Sequence, residues 1–438
     1  MDCEAIYNQP VYFYTLLKNY LGNFSIKYKF TYEIKIQIMI REIFQLQNPW
    51  REKSDYSFKL KPRDIFETIS LNLENELILG LIGSRQVGKS SVILLTIEHL
   101  MRKGVNPNNI YYFNLDDFVL HEIFSSLPAF FEFIGKTDEK KYILIDEIQR
   151  LPSPGLFLKE VYDLKRDIKI IFSGSSQLEI KSKTKEHLVG RARIFHVNRL
   201  SFKEYLEFAS PITKKEALSQ MLLYGSYPAV AKEGSILEKK LRLKDIFQSY
   251  VQKDLVDFLQ IGRTDSYNKL LVRLSNQIGE LLNINDLANN LSVKRAEIEK
   301  YLDILEQTFI CKRVYPFHKN YNKEITKTPK IFFLDLGLRN FLLNNFSSLD
   351  TRTDKGSLFE NFFLNELISN DHYGINKINF WRTTNQTEVD FIIQSEDLFE
   401  AIEVKWNNKI NPKSFETLHS HYSGIKTRVV TKDDFLET

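Results

Sequence analysis

Apolar positions along the chain follow two different spacings, and the shift between them divides the sequence. Residues 1–70 mix aromatic, apolar and basic residues without a sustained period. Within them, residues 34–44 space their apolar side chains as an amphipathic helix, and Asn48-Pro49 punctuates its end. This region reads as an N-terminal helical extension. From residue 71 short apolar runs alternate with helical stretches. Runs at 77–82, 110–113, 142–145, 169–172 and 193–197 predict strands, with helices at 90–103, 120–134 and 155–166 between them. Strands alternating with helices imply an α/β fold, a parallel sheet covered on both faces.

After residue 211 the strand signal fades. Helical spacing recurs at 214–223 and 237–259, separated by Gly225-Ser226-Tyr227-Pro228. Residues 284–307 predict a compact helix–turn–helix. There Leu287, Ala288, Leu291 and Val293 would pack against Ile298, Tyr301, Leu302 and Leu305, with Ser292 capping the second helix. Lys294 and Arg295 open that helix, where a recognition helix meets a DNA groove. Glu297 and Glu299 on the same helix oppose phosphate. Such folds also bind proteins, so DNA and a protein partner both stand as expectations. Strands follow near 309–315 and 330–334, and residues 346–438 mix helix and strand.

Composition narrows the classes. A chain of 438 residues predicts three or four folded units, and 43% hydrophobic residues suffice for their cores. The net charge of +4 is too small to indicate nucleic acid by itself. Two distant cysteines, Cys3 and Cys311, fit a reducing compartment with neither a disulfide framework nor a zinc cluster. No signal-peptide pattern opens the sequence and no run suits a membrane span, so a cytoplasmic protein without membrane attachment is expected.

Residues 83–90 read Gly-Ser-Arg-Gln-Val-Gly-Lys-Ser between the first strand and a helix. Gly83 and Gly88 let such a loop wrap a phosphate while the N–H groups of Ser84, Arg85, Gln86, Val87 and their neighbours turn inward. The helix that follows, through Ser90 and Ser91, adds its positive dipole end. Lys89 supplies a charge for the β- and γ-phosphates of ATP, and the Ser90 hydroxyl a ligand for Mg²⁺. A second apolar strand ends in Asp146-Glu147. Asp146 would hold the Mg²⁺, directly or through water, and Glu147 would orient and deprotonate the attacking water. A third strand ends in Ser173-Gly174-Ser175-Ser176, which opens onto the same crevice. Ser173 or Ser175 would bond the γ-phosphate or the water, or simply cap the next helix. Arg191 is either an arginine finger, which would imply a homo-oligomeric ring, or a surface arginine paired with a carboxylate.

This order of phosphate loop, Asp-Glu strand, Ser-Gly-Ser-Ser and Gly-Arg resembles AAA+ ATPases. More narrowly it resembles archaeal and bacterial ATPases whose AAA domain precedes a C-terminal domain of unknown function. Family-like stretches include Asn114-Leu115-Asp116-Asp117, Asp146-Glu147-Ile148-Gln149, Leu200-Ser201-Phe202-Lys203-Glu204-Tyr205-Leu206, Gly225-Ser226-Tyr227-Pro228, Phe333-Leu334-Asp335-Leu336-Gly337-Leu338 and Leu358-Phe359-Glu360-Asn361. The resemblance implies an ATPase core at 71–210, a helical lid or linker at 211–270, a winged helix at 271–345 and a nuclease-like fold at 346–438.

In that last region residues 387–393 and 398–406 read as paired strands. Side chains two apart share a strand face, so Glu403 and Lys405 project together, with Asp390 on the neighbouring strand and Glu360 on the preceding helix. Such carboxylates can hold a divalent cation while the lysine activates water. The set looks like the PD-(D/E)xK nuclease core, with Val389 in place of proline. Cross-strand salt bridging is the competing reading. Three functions are therefore open: an ATPase that moves C-terminal modules, an ATP-licensed metal-dependent DNA nuclease, and a nucleotide-gated scaffold.

Overall fold

The first sheet is built from five apolar runs that pair in the order β2-β3-β4-β1-β5. The strands are β1 (Ile78–Ile82), β2 (Ile110–Asn114), β3 (Lys141–Asp146), β4 (Ile168–Gly174) and β5 (Ala192–His196). The computed structural model describes residues 26–53, 56–135, 139–175, 187–209, 213–248, 264–318, 328–395, 398–407 and 412–437. These fall into two units. One is drawn from residues 1–62, 66–82 and 89–195, the other from 63–65, 83–88 and 196–438.

In the first unit β1, β3 and β4 pair in parallel, as do β2 and β3. Every residue of β1 and β3 is buried, because helices cover both faces. Those helices include α1 (Ile26–Gln47), α2 (Ile65–Ser70), α3 (Lys89–Arg102), α4 (Leu127–Ile134) and α5 (Pro154–Asp163). Helix α3 buries Val92, Ile93, Thr96, Ile97 and Leu100, one stripe at helical spacing. The single helix expected over 120–134 is two pieces: a 3-10 segment, Phe118–Phe124, then α4, which Ser126 caps by accepting from the Ala129 N–H.

The N-terminal segment covers an edge of the sheet. Strand β2 lies at that edge and needs partners for its outward backbone groups. The Asn48 side chain donates to the Tyr112 carbonyl at 2.9 Å and accepts from the Tyr112 N–H at 2.8 Å. Gln47 repeats the pattern two residues on, accepting from the Asn114 N–H at 2.8 Å. Two side-chain amides thus continue the ladder where a strand would otherwise add. Asn48→Ala should cost roughly 2 kcal/mol in a denaturant titration, the scale of leaving buried partners unsatisfied.

The second unit begins with α6 (Phe202–Phe208), α7 (Lys214–Tyr224), α8 (Pro228–Ala231), α9 (Ile236–Ile246) and α10 (Thr264–Asn276). The helix expected over 237–259 is described only to residue 248; its remainder lies outside the described residues. Two helices joined by a tight turn, α11 (Ile284–Leu291) and α12 (Arg295–Gln307), precede an antiparallel pair, β6 (Cys311–Val314) and β7 (Lys330–Phe333). Leu287, Ala288, Ile298, Tyr301, Leu302 and Leu305 are buried as their spacing predicts. Ser292 does not cap the second helix. It ends α11 in the left-handed conformation at φ +52°, and Lys294 takes the position before α12 without a side-chain cap.

Next come α13 (Leu336–Leu342) and α14 (Lys355–Asn370), then β8 (Lys377–Arg382), β9 (Glu388–Gln394) and β10 (Phe399–Lys405). Helix α15 (Pro412–His421), strand β11 (Lys426–Thr431) and helix α16 (Lys432–Glu437) complete the described chain. The sheet order is β11-β10-β9-β8, with only the β10–β11 pairing parallel. Trp381 is buried with Val389, Ile392 and Leu418 in the core that packs against this sheet.

Glu366 on α14 accepts from the Phe202 N–H at 2.9 Å. Burial pushes its carboxyl up to about 8 from an ordinary 4.5. The folded state therefore holds a proton that the unfolded chain releases, and stability falls as pH rises from about 4.5 through about 8. Glu366→Gln keeps the acceptor and removes that titration. Melting curves should show the variant gaining on wild type at pH 9 but not at pH 5.

Candidate functional site

The loop of residues 83–88 links β1 directly to α3, as the glycine pattern predicts. Gly88 lies at φ +97° and Gln86 at φ +61°, the left-handed conformations that fold the backbone back on itself. At Gly83 a Cβ would overlap the Val197 carbonyl oxygen, so the position excludes any side chain. Lys89 and Ser90 form the first turn of α3; Lys89 is buried and Ser90 exposed.

Asp146 stands at the carboxyl end of β3, and β4 alone separates β3 from β1. Leu81 is level with Ser173, and Phe172 with Ile145. The strand ends that carry Asp146 and lead to Lys89 therefore share one edge of the sheet, two strand spacings or roughly 10 Å apart.

Three neighbours hold the acidic pair. The Ser173 hydroxyl donates to Asp146 Oδ1 and accepts from the Glu147 N–H at 3.1 Å. The Tyr112 hydroxyl donates to Asp146 Oδ2 at 3.2 Å. Burial, and then the Asp146 carboxylate, push the Tyr112 phenol far above its ordinary range, so it stays a donor. Gln149 Nε2 donates to Glu147 Oε2 and, at 2.9 Å, to Ser175 Oγ. Glu147 itself sits at φ +56°, a strained conformation for a residue with a side chain and one that concentrates at functional sites. Ser173 and Ser175 thus orient Asp146 and Glu147, a role their sequence positions did not specify. Tyr112 carried no signal, since it belongs to an apolar strand run, and Gln149 stood out only as part of the family-like stretch 146–149, with no role of its own.

Arg191 lies elsewhere. It precedes β5 at the opposite edge of the sheet, where its carbonyl accepts from the Ile78 N–H at the start of β1. Its guanidinium donates to both oxygens of Asp163, at 2.8 and 3.2 Å. Within one chain this arginine cannot face the Asp146 end of the strands; the carboxylate-paired reading describes its geometry.

In the second unit Lys405 Nζ lies 2.6 Å from Glu403 and 3.7 Å from Asp390, as the strand spacing predicts. The Val404 N–H donates to Asp390 at 2.7 Å, and Ser414 to Glu403. Glu360 belongs to the same cluster, with Lys330 Nζ 3.2 Å away and that ammonium also 2.5 Å from Glu388. Burial alone would lower both lysines, and the surrounding carboxylates instead hold them above their ordinary values. Burial pushes the Glu360 and Asp390 carboxyls up against the lysines' pull. Each ammonium group therefore pairs with two carboxylates, Lys330 with Glu360 and Glu388, and Lys405 with Asp390 and Glu403. Among the described residues no group of three or more His, Cys, Asp or Glu side chains is arranged to hold a metal ion. Lys294 is exposed at the head of α12, whereas Arg295 donates to Glu299 at 2.9 Å and to Asn285 at 3.0 Å. Among the described residues no helix is long and apolar enough to cross a membrane.

Comparison with known proteins gives matches over three stretches of the chain. Residues 75–206 match the family model described as AAA domain. Residues 215–349 and 355–436 match two models, each described as a domain of unknown function (DUF8612 and DUF4143). An uncharacterized protein of Methanocaldococcus jannaschii is 27% identical over 344 residues, 71% of this chain and 71% of its own length. One of Haemophilus influenzae is 23% identical over 382 residues, 83% of this chain and 91% of its own length. Among solved structures, AMPPCP-bound DnaA from Aquifex aeolicus aligns with a TM-score of 0.30 at 13% identity, covering 56% of this chain and 86% of that one. The Aeropyrum pernix ORC1 protein in complex with DNA gives 0.28 at 13%, covering 68% and 96%. Likenesses of that size are too slight to assign a function.

Proposed function

We propose, from an AAA-like domain at residues 75–206, that this protein hydrolyses ATP and uses the cycle to rearrange C-terminal modules that bind DNA or a protein partner. The observation that carries the reading is the Asp146–Glu147 pair, held by Ser173 and Gln149 at the sheet edge where β1 leads into Lys89 and Ser90. A nucleotide-gated scaffold would not need a strained glutamate fixed in place, and a hydrolase does.

In this reading the N–H groups of residues 83–88 and the α3 amino end receive the phosphates, and Lys89 balances their charge. Ser90 and Asp146 offer the oxygen donors that magnesium prefers, and each Asp146 oxygen keeps a lone pair beyond the one bonded by Ser173 or Tyr112. When bound with ATP, magnesium would neutralise charge on the phosphate oxygens. Glu147 accepts the proton of the attacking water.

Helices α11 and α12 with β6 and β7 fit a winged helix, whose DNA contact would fall to Lys294 and Arg295. We read the β8–β11 domain as a nuclease-like fold that serves as a binding module, since Lys330 and Lys405 each pair with two of its carboxylates. Arg191 we read as structural: Arg191→Ala should leave ATP turnover within about twofold, the scale of a partly exposed ion pair. A larger loss, together with growth in light scattering on adding ATP, would restore the finger and the ring.

One preparation tests the whole: ATP turnover with and without DNA, and plasmid incubated with Mg²⁺ or Mn²⁺. Turnover lost in Glu147→Gln, raised by DNA, and accompanied by intact plasmid is the expected result. Wild-type turnover no higher than that of Glu147→Gln would overturn the ATPase, and cutting lost in Asp390→Ala would establish the nuclease.

A further inference from the structure

We infer that Arg63 is a positioning residue for the phosphate loop, acting from behind it on the Val87–Gly88 peptide. The inference rests on the ATP-binding reading above. Arg63 precedes α2, and its side chain is buried at 4% exposure. Its fork donates to three elements. Nη1 reaches the Val87 carbonyl at 2.5 Å, Nη2 the Asn198 carbonyl at 2.8 Å, and Nε Glu204 Oε1 at 2.8 Å. Glu204 is itself held. Its Oε1 also accepts from the Asp64 N–H at 2.8 Å and its Oε2 from the Ser201 N–H at 3.1 Å, completing the capping box at the start of α6. One buried ion pair therefore ties the loop to the segment after β5 and to a helix end.

The chemistry follows from how such a loop works. A backbone that turns N–H groups toward an anion must turn carbonyls away from it, and an outward carbonyl buried without a donor is costly. Arg63 satisfies the Val87 carbonyl, which belongs to the same peptide as the Gly88 N–H. A guanidinium bonded to that oxygen polarises the peptide and strengthens the N–H as a donor. Its charge is compensated by Glu204 at 2.8 Å, so the effect on the loop is carried by the bonded peptide. Lysine has the charge but not the planar fork, so it cannot reach all three acceptors.

The test uses the full chain in four forms: wild type, Lys89→Ala, Arg63→Lys and Arg63→Gln. Titration with a fluorescent ATP analogue should show Arg63→Gln binding about 10-fold more weakly and Arg63→Lys in between, one charge-assisted hydrogen bond being worth about that factor. ATP turnover should show KM rising in the same order, while kcat at saturating ATP stays within about twofold, because the group acts on binding geometry and not on the attacking water. Hydrogen exchange over residues 83–88, measured without nucleotide, should quicken in both variants while β3 stays protected. Should Arg63→Gln fail to fold, the Arg63→Lys comparison carries the test. Wild-type affinity and unchanged loop exchange in a folded variant would overturn the inference. If the wild type itself binds the analogue no better than Lys89→Ala, the ATP-binding reading fails instead, and the exchange of residues 83–88 alone decides the clamp.

Discussion

Lys89→Ala is expected to remove nucleotide binding while leaving the fold intact. Lys89 opens α3, so its ammonium stands where the helix dipole and the first unsatisfied N–H groups already favour an anion. Its side chain is buried, and a buried charge contributes more to an anion site than an exposed one. Hydrogen bonds from a charged donor to two phosphate groups are worth about 1.5–3 kcal/mol each, so affinity should fall by at least about 100-fold. The loop backbone, with Gly83 and Gly88 unchanged, keeps its shape. Titration with a fluorescent ATP analogue reads the loss, and the melting temperature without nucleotide checks the fold. A folded variant that binds within about threefold of wild type, well under 1 kcal/mol, would remove the lysine from its role and with it the phosphate reading of 83–90.

Glu147→Gln should separate binding from turnover. Glutamine has nearly the same shape and still accepts the bond from Gln149, and the Glu147 N–H still donates to Ser173, so the loop after β3 keeps its geometry. What is lost is the carboxylate that accepts a proton from water. General-base removal costs about 10²–10⁴ in rate, so kcat should fall by at least about 100-fold while affinity for ATP is preserved. Single-turnover hydrolysis against a binding titration on the same sample distinguishes the two. Turnover at the wild-type rate would assign Glu147 to structure alone, its strained backbone notwithstanding.

The sequence by itself determined the local parts. An apolar run followed by a glycine-bounded polar loop and a helical stripe can form little other than β1, the 83–88 loop and α3. An apolar run that ends in Asp146-Glu147 likewise places two carboxylates at a strand end. The two-residue period put Glu403 and Lys405 on one face. Helical spacing named most of the buried residues of α11 and α12, missing Ile304 and including Leu291 and Val293, which are only half-buried. Tertiary structure decided everything that depends on which strand lies beside which. Register brings Ser173 and Tyr112 to Asp146, and no pattern within β2 or β4 reports it. The sheet edge explains the N-terminal segment, whose Gln47 and Asn48 amides finish β2 from more than sixty residues away. Pairing with Asp163 turned Arg191 from a candidate finger into an ion pair at the far edge, and Lys330 pairs with Glu360, one of the carboxylates that spacing alone offered to a metal. The physical reason is common to all of these. Periodicity is a property of neighbouring residues, whereas the protonation, orientation and partners of a charged group are set by whatever the fold packs against it.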